Sequence, residues 1–534
     1  MWFNSRRSPV YGTRGAVASS QPLASEAGMR ILQKGGNAAD AAVAVAAALN
    51  VTEPCSTGMG GDCFALYYDA SKGCVLGING SGRAPVGLTP KRLRDEGLDK
   101  MPTNGVHTVT VPGAVAGWVD TIEHFGTLTM KDVLTPAIEL AEGGYPVSPL
   151  TARAWASGVP LLKFGPYGDE LLIRGRAPGA GEVMRNPTLA RSMREVIDHG
   201  KTGFYEGRVA EAIVEILQLK GGTMTLSDLK KHVSTFDEPI TVNYRGVDIW
   251  EIPPNGQGIT ALIALNVLEG FNFHKVPYDS PQRLHLLIEA MRTAFADTRW
   301  YVADPSVTSV PIKELISKEY AASRRENINP LKAVLDRVHG SPVSGSDTVY
   351  FCTADRWGNA CSFINSNYSG FGTGLIPRGC GFTMQNRGAG FSLEKGHPNI
   401  LAPGKRPYHT IIPGMMTKNG DLYGPFGVMG GFMQPQGHVQ VVTNMIDYDM
   451  GPQEALDAPR FFIQDGTTGG KVSLEEGIPV YTMAALARMG HEIIPVAGSN
   501  RVSFGKGQII LRNPKTGALT AGSDPRGDGQ ALGW

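Results

Sequence analysis

The sequence lacks the features that mark several common classes of protein. Its 50 basic and 49 acidic residues leave a formal charge of +1, and no basic tract is interleaved with aromatic residues. Nucleic acid is therefore not an expected partner. The longest run of small apolar residues, at 41–51, is too short to cross a bilayer core of about 30 Å. The first residues carry arginines but no apolar signal-peptide core. We expect a cytoplasmic protein without a membrane partner.

Metal, cofactor and disulfide signatures are also missing. The six cysteines include no CxxC pair, which favours small buried thiols in a reducing compartment over disulfides. The eleven histidines form no HExxH motif and no pair at helical spacing, and the acidic residues form no calcium loop. No phosphate-binding loop and no GxSxG nucleophile elbow are present. These absences predict that the protein has no metal site and needs no cofactor.

Glycine is the residue that is unusually frequent. The chain has 68 glycines among 534 residues, almost twice the usual share of about 7%. A glycine allows backbone to approach a ligand closely because it carries no side chain. This composition favours a site lined by backbone N–H groups. The hydrophobic share of 42% is enough for a large core, and the charged share of 19% argues against disorder.

The pattern along the chain changes once. Asn37 is predicted to cap a buried Ala/Val-rich helix, which follows a helix that ends at glycine. The signals over 113–300 are mainly helical, and the polar stretch 320–347 is interpreted as an exposed linker. The chain after 347 is rich in strand signals, including a β-branched run at 438–446. Helix-rich and strand-rich parts together predict an α/β layered sandwich.

Thr348 is the candidate nucleophile. A threonine that begins a strand is ordinary, because β-branched residues favour strands. This one follows the loop "SGSD", where cleavage of the peptide bond would release it as a new N-terminus. A free α-amine has a pKa of about 7.7–8.0 and can accept the proton of the hydroxyl. Such a residue carries both nucleophile and base, so it needs no histidine triad.

Motifs over nearly the whole chain resemble those of the γ-glutamyltranspeptidase family. They occur in the family's order and include the segment that begins at Asp347. The segments are "GGNAADAAVAVAAAL" (35–49), "STGMGGDCF" (56–64), "VPGAVAGW" (111–118), "DTVYF…DRWGNACSF" (347–363), "FGTG" (371–374), "GKRP" (404–407), "MGG" (429–431), "EALDAPRF" (454–461) and "GSDPR" (522–526).

This resemblance implies a fold and a maturation step. The family consists of N-terminal-nucleophile hydrolases, which are made as inactive precursors and cut themselves. We therefore expect a four-layer αββα sandwich with an extended helix-rich N-terminal part. Cleavage between Asp347 and Thr348 would give a large chain, 1–347, and a small chain, 348–534. The two would stay together as a heterodimer, and further dimerisation is left open.

The resemblance also implies roles in catalysis. Thr348 Oγ would attack the substrate carbonyl and give an acyl-enzyme. Ser366 lies where the family places a hydroxyl beside the threonine amine. Gly430 and Gly431 match the tandem glycines whose N–H groups form the oxyanion hole, although a plain turn would also explain two glycines. Backbone donors of this kind stabilise a developing negative charge by several kcal/mol.

The residues that would hold the substrate depart from the family pattern. Gly390 replaces the aspartate that binds the substrate ammonium, and Arg387 lies nearby in "MQNRGAGFS". A pocket that loses an anion and gains cations or aromatic rings suits a carboxylate without an adjacent amine. For Arg387, a structural ion pair is the alternative interpretation. The predicted substrate-binding residues are Arg83, Tyr368, Arg387, His409 and Thr410.

Three functional hypotheses remain. The first is hydrolysis of a small amide with a terminal carboxylate. The departures from the family pattern resemble the branch that includes oxamate amidohydrolase and glutathione-hydrolase-like proteins. The second is true γ-glutamyl hydrolysis or transfer on glutathione. The third is an unprocessed, inactive precursor with a binding role.

Overall fold

The computed structural model describes residues 7–335, 347–467 and 469–534. Residues 336–346 of the predicted linker, 320–347, lie outside the described residues. The part of it that is described, 320–335, contains the end of a helix over Lys318–Arg325. A described strand begins at Asp347, so Thr348 does lie at the start of a strand.

The strands of the described residues fall on both sides of position 347. They are β1 (Val10–Gly12), β2 (Gly15–Ser19), β3 (Asp62–Asp69), β4 (Cys74–Gly80), β5 (Tyr145–Pro146), β6 (Val183–Met184), β7 (Ile240–Tyr244), β8 (Val247–Glu251), β9 (Asp347–Asp355), β10 (Ala360–Tyr368), β11 (Gly414–Lys418), β12 (Asp421–Met429), β13 (Phe461–Ile463), β14 (Val472–Glu475), β15 (Ile493–Val496), β16 (Lys506–Arg512), β17 (Leu519–Ser523) and β18 (Gln530–Gly533).

The helices lie mostly before position 347, as predicted. They are α1 (Pro22–Lys34), α2 (Ala38–Thr52), α3 (Pro90–Asp95), α4 (Ala114–Phe125), α5 (Met130–Gly143), α6 (Pro149–Phe164), α7 (Pro187–His199), α8 (Thr202–Tyr205), α9 (Gly207–Leu219), α10 (Leu226–Lys230), α11 (Gly258–Glu269), α12 (Pro281–Tyr301), α13 (Ile312–Leu315), α14 (Lys318–Arg325), α15 (Met433–Asp447), α16 (Pro452–Asp457) and α17 (Val480–Arg488).

Two antiparallel sheets form the centre of the fold. One has six strands in the order β18-β2-β9-β10-β3-β4, and the other has seven in the order β1-β17-β16-β12-β11-β8-β7. Each sheet contains strands from before and after position 347. The predicted large and small chains are therefore not separate structural units, because both central sheets contain strands from each.

The sheets face each other across an apolar core and are covered by helices on their outer faces. Phe64 and Tyr350 of the six-stranded sheet share this core with Met415 and Ile510 of the seven-stranded sheet. Helices α1 and α2 pack on the outer face of the first sheet, and α11 and α15 on that of the second. The layers are thus helix, sheet, sheet and helix, which confirms the predicted αββα sandwich.

The first two helices form as the sequence predicts. Gly35 ends α1 with φ of +103°, a conformation that favours glycine. The Asn37 side chain then accepts the N–H groups of Ala39 and Asp40 and caps α2. Every residue of α2 is buried, which explains its almost uniform Ala/Val composition.

The strand predicted at 438–446 is wrong. These residues belong to α15, in which all residues except Ile446 are buried. A helix buried on all sides shows no amphipathic period, so β-branched residues dominate the sequence signal. Its glutamines also lie between apolar residues, as the polar positions of a strand do. They can be buried in a helix because Gln436 and Gln440 each donate to and accept from the backbone of β13.

The cysteines are small thiols that are mostly buried, as predicted. All six cysteines are free thiols, and all except Cys74 are buried. Within the described ranges, no helix combines the length and the apolar character needed to cross a membrane.

Candidate active site

Thr348 lies between the two sheets. Its side chain is fully buried, and its Oγ1 is 3.0 Å from the Oγ of Ser366 on the neighbouring strand β10. The regular pairing of β9 and β10 shifts between Asn365 and Tyr368, next to Ser366. Such bulges are common beside active sites because they redirect side chains. The structure therefore brings together the two hydroxyls that the sequence predicts.

Tyr368 and Arg387 extend this group of contacts. The Tyr368 N–H donates to Ser366 Oγ over 2.8 Å, and its φ is +79°, which is uncommon for a bulky residue. Its ring lies against the Arg387 guanidinium, with Cζ 3.9 Å from the ring centroid. This cation–π contact couples the strand of Ser366 to the loop of Arg387.

Arg387 is a fully buried cation in a 3₁₀ turn, Arg387–Gly390. Its Nη2 donates to Thr410 Oγ1 over 3.0 Å, whereas its Nη1 has no hydrogen-bond partner among the described residues. No described carboxylate lies within ion-pair distance of it, so the alternative of a structural ion pair finds no partner in the described part of the chain. Burial lowers the pKa of Arg387 to about 10.

The tandem glycines close the group of contacts. Gly430 and Gly431 have φ of +133° and +59° and join β12 to α15. Gln257 Nε2 donates to the carbonyl oxygens of Gly431 (2.8 Å) and Thr410 (2.7 Å). Thr410 Oγ1 in turn accepts from Arg387. A continuous series of hydrogen bonds and packing contacts therefore connects Thr348 with the two glycines.

Asp62 is a site residue that the sequence analysis missed. It is fully buried at the start of β3 and pairs with Ser366 across the sheet. Its Oδ1 accepts the N–H groups of Gly82 and Gly113 and the Gln385 amide, over 3.0–3.1 Å. Burial raises the pKa of Asp62 to about 7, against these donors. The sequence signal that could have indicated Asp62 is a charged residue at the first position of the largely apolar strand "DCFALYYD".

His409 is held by Asp62. Its Nε2 is 3.0 Å from Asp62 Oδ2, and its Nδ1 accepts the N–H of Ile411. Burial, with Arg387 nearby, lowers the pKa of His409 well below its ordinary value. The imidazole is therefore neutral and donates from Nε2 to the carboxylate. The structure gives His409 a positioning contact with Asp62, one residue before Thr410.

Arg83 lies elsewhere. It is half-buried, and its Nη1 is 3.5 Å from the carbonyl oxygen of Val233, a weak hydrogen bond at most. Its charge acts on Arg406, another cation. No contact in the described part of the chain joins Arg83 to Arg387, so the two predicted arginines do not form one cluster.

The layered sandwich is the fold of the N-terminal-nucleophile hydrolases, and comparisons with known proteins agree. Residues 24–534 match the sequence profile of the family described as Gamma-glutamyltranspeptidase. The chain therefore belongs to the gamma-glutamyltranspeptidase family, and it is a hydrolytic enzyme of that family.

Relatives over the full length support this assignment. The glutathione hydrolase-like YwrD proenzyme of Bacillus subtilis (strain 168) is 38% identical over 532 residues, which cover 98% of this chain and 99% of the relative. The oxamate amidohydrolase proenzyme of Klebsiella pneumoniae is 33% identical over 98% of this chain and 99% of its own. The crystal structure of a cephalosporin acylase from Bacillus halodurans superposes with a TM-score of 0.93 at 46% identity, over 100% of this chain and 98% of that one.

Proposed function

We propose that the protein is a self-processing amidohydrolase whose nucleophile is Thr348, released by cleavage after Asp347. Two relatives are named as proenzymes, which supports a maturation step of this kind. The segments 1–347 and 348–534 would remain joined after cleavage, because both sheets contain strands from each. Separating them would expose the core between the sheets.

The observation that carries this proposal is the pair of hydroxyls at Thr348 and Ser366, 3.0 Å apart. In the processed enzyme the Thr348 α-amine would accept the Oγ1 proton while Oγ1 attacks the amide carbon. The N–H groups of Gly430 and Gly431 would stabilise the resulting oxyanion. The ammonium proton would pass to the leaving amine as the C–N bond breaks. Water would then hydrolyse the ester on Thr348 and release the acid.

We infer that the acyl group of the substrate carries a carboxylate. The buried Arg387 guanidinium has an Nη1 without a partner among the described residues, and a carboxylate would supply both charge and acceptor. Asp62, the buried acid whose charge acts on Arg387 among the described residues, already accepts four donors, so it has little capacity left for a substrate ammonium. Oxamate, in the name of one relative, is itself an amide with a carboxylate.

A substrate panel tests this assignment. We would compare a glutaryl anilide, a γ-glutamyl anilide, oxamate and a neutral butyryl anilide on the processed enzyme. The expected order places the glutaryl anilide above both the γ-glutamyl and the butyryl anilide in kcat/KM. A preference for the γ-glutamyl anilide would instead support the glutathione hypothesis. Activity on none of the four would contradict the proposed substrate class.

Gly430→Ala is expected to lower kcat by about 10²–10³-fold, because the oxyanion donors would move. An added Cβ would lie 3.2 Å from Met433 Cβ and 3.3 Å from Gly505 Cα, and φ is already +133°. Gly420→Ala is the matched control, since Gly420 has φ of +85° with nothing within 4 Å of an added Cβ. Steady-state kinetics on both variants separate loss of the donors from backbone strain; equal kcat values would rule out the oxyanion role.

A further inference from the structure

Arg83 and Arg406 form a second group of cations at the edge of the six-stranded sheet. Arg406 is buried, and it donates to the carbonyl oxygens of Ser81 and Asn79 and to Thr235 Oγ1. Neither arginine has a carboxylate within ion-pair distance among the described residues. Burial, and after it the charge of Arg83, lowers the pKa of Arg406 to about 10. Two neighbouring cations without an ion pair are costly to hold together.

The segment 232–235 lies against these arginines. Thr235 forms a bridge with Asn79, which adds the segment to the edge strand β4. His232 is 7% exposed, and its ring stacks on Tyr205 with centroids 5.3 Å apart. Both ring nitrogens of His232 and the Oγ of Ser234 are buried without a hydrogen-bond partner in the described ranges. Buried polar groups in native proteins are nearly always paired, so such a cluster calls for a ligand or water.

The charges around His232 define what the cluster can hold. Burial, followed by the charges of Arg406 and Arg83, lowers the pKa of His232 to about 3. The neutral imidazole offers one N–H, and Ser234 offers one O–H. The surrounding guanidinium groups only donate. The cluster therefore presents donors and positive charge together.

The nearby acids are already engaged. Asp304 accepts the N–H of Arg406 and both the N–H and the hydroxyl of Ser306. Asp237 accepts the Asn79 amide. Lys201, the third cation that acts on His232, is paired with Asp120. None of these acids makes a described contact with Arg83 or with the His232 ring.

We propose that Arg83, Arg406, His232 and Ser234 form a binding site for a small oxyanion, a carboxylate or a phosphate, separate from the Arg387 pocket. Arg406 is fixed by its three acceptors and supplies charge. Arg83 is half-buried, so it gives the ligand a route from solvent and can close over it. An oxyanion would neutralise the paired cations and satisfy the buried donors at once.

The test is isothermal titration calorimetry on the full-length protein as purified, whether or not it is processed. Sodium phosphate and sodium succinate are titrated separately into a variant carrying Arg387→Gln, so that binding in the acyl pocket is suppressed. We expect saturable binding of at least one anion, and the tighter of the two identifies the ligand as phosphate or carboxylate. Adding Arg83→Gln should weaken the Kd at least about tenfold. Adding His232→Phe, which keeps a ring on Tyr205 but removes both nitrogens, should do the same.

Arg488→Gln, at an exposed position on α17, is the matched control for loss of one positive charge. Its Kd should not change. Absence of binding would overturn the proposal, as would a Kd that neither Arg83→Gln nor His232→Phe alters. A crystal structure in phosphate with only water on His232 would also overturn it. The site does not depend on the amidohydrolase proposal, because binding is measured without turnover and with the acyl pocket disabled.

Discussion

Protein carrying Thr348→Ala is expected to remain a single chain of 57.0 kDa, whereas the unmodified protein should separate into two fragments on a denaturing gel. The same variant should lose at least about 10³-fold in kcat/KM, because the attacking oxygen is gone and no other nucleophile replaces it. Both effects would have one cause, because in the proposed function the buried Thr348 hydroxyl, 3.0 Å from Ser366 Oγ, serves in self-cleavage and in turnover. Intact mass spectrometry and a single substrate assay measure them.

Two controls make this result specific. Thr348→Ser keeps a hydroxyl and should retain both cleavage and measurable turnover. Thr241→Ala removes a strand threonine from the edge strand β7, where its hydroxyl donates only to the carbonyl oxygen of Ile249. That variant should be processed normally. A Thr348→Ala protein that is still cut at this position, or still active after purification, would show that another residue is the nucleophile.

The proposal for Thr348 could be made from the sequence because its signal is local. A nucleophile that is also a new N-terminus needs only one local signal, a hydroxyl residue between a loop and a strand. Ser366 was named by its position in the family resemblance, and the tandem glycines lie in the short motif "MGG" (429–431). The helix-rich and strand-rich parts predict an α/β layered sandwich, and the four-layer αββα order was implied by the family resemblance.

Asp62 illustrates what the sequence could not show. Its partner His409 lies 347 positions away along the chain, and only the fold brings the pair together. The departure from the family at His409 was therefore interpreted from the sequence as a change in substrate contacts. The described polar contacts of His409 are with Asp62 and the backbone of Ile411. The lack of a described contact between Arg83 and Arg387 was hidden for a related reason, because sequence position alone does not tell which face of a loop a side chain occupies.

The interleaving of the two chain segments was equally hidden. Strand β9 lies between β2 and β10, so a strand near residue 15 pairs with one near residue 350. Such long-range pairing leaves no local trace, since each strand shows only its own alternation. The change in composition at 347 marks the predicted cleavage point and no boundary in the fold.

Arg387→Gln is expected to lower kcat/KM for a glutaryl anilide by about 30-fold or more, mostly through a higher KM. Removing one partner of a buried charge pair commonly costs 2–5 kcal/mol. The butyryl anilide, which has no carboxylate, should change little. Stability should hold or rise, because glutamine replaces a buried cation that has no ion pair among the described residues. Thermal unfolding of the ligand-free enzyme measures the second effect.

Arg387→Lys is the informative companion variant. Lysine keeps the charge but loses the planar fork that stacks on Tyr368 and donates to Thr410, so activity on the glutaryl anilide should recover only in part. Restoring the family's aspartate at 390 is a poorer test, since an added Cβ would lie 2.7 Å from the Tyr408 carbonyl oxygen. Equal losses on the glutaryl and butyryl anilides would contradict a carboxylate contact. Equal losses would instead indicate that Arg387 positions Tyr368. Because the Tyr368 N–H donates to Ser366 Oγ, Arg387 would then position that hydroxyl indirectly.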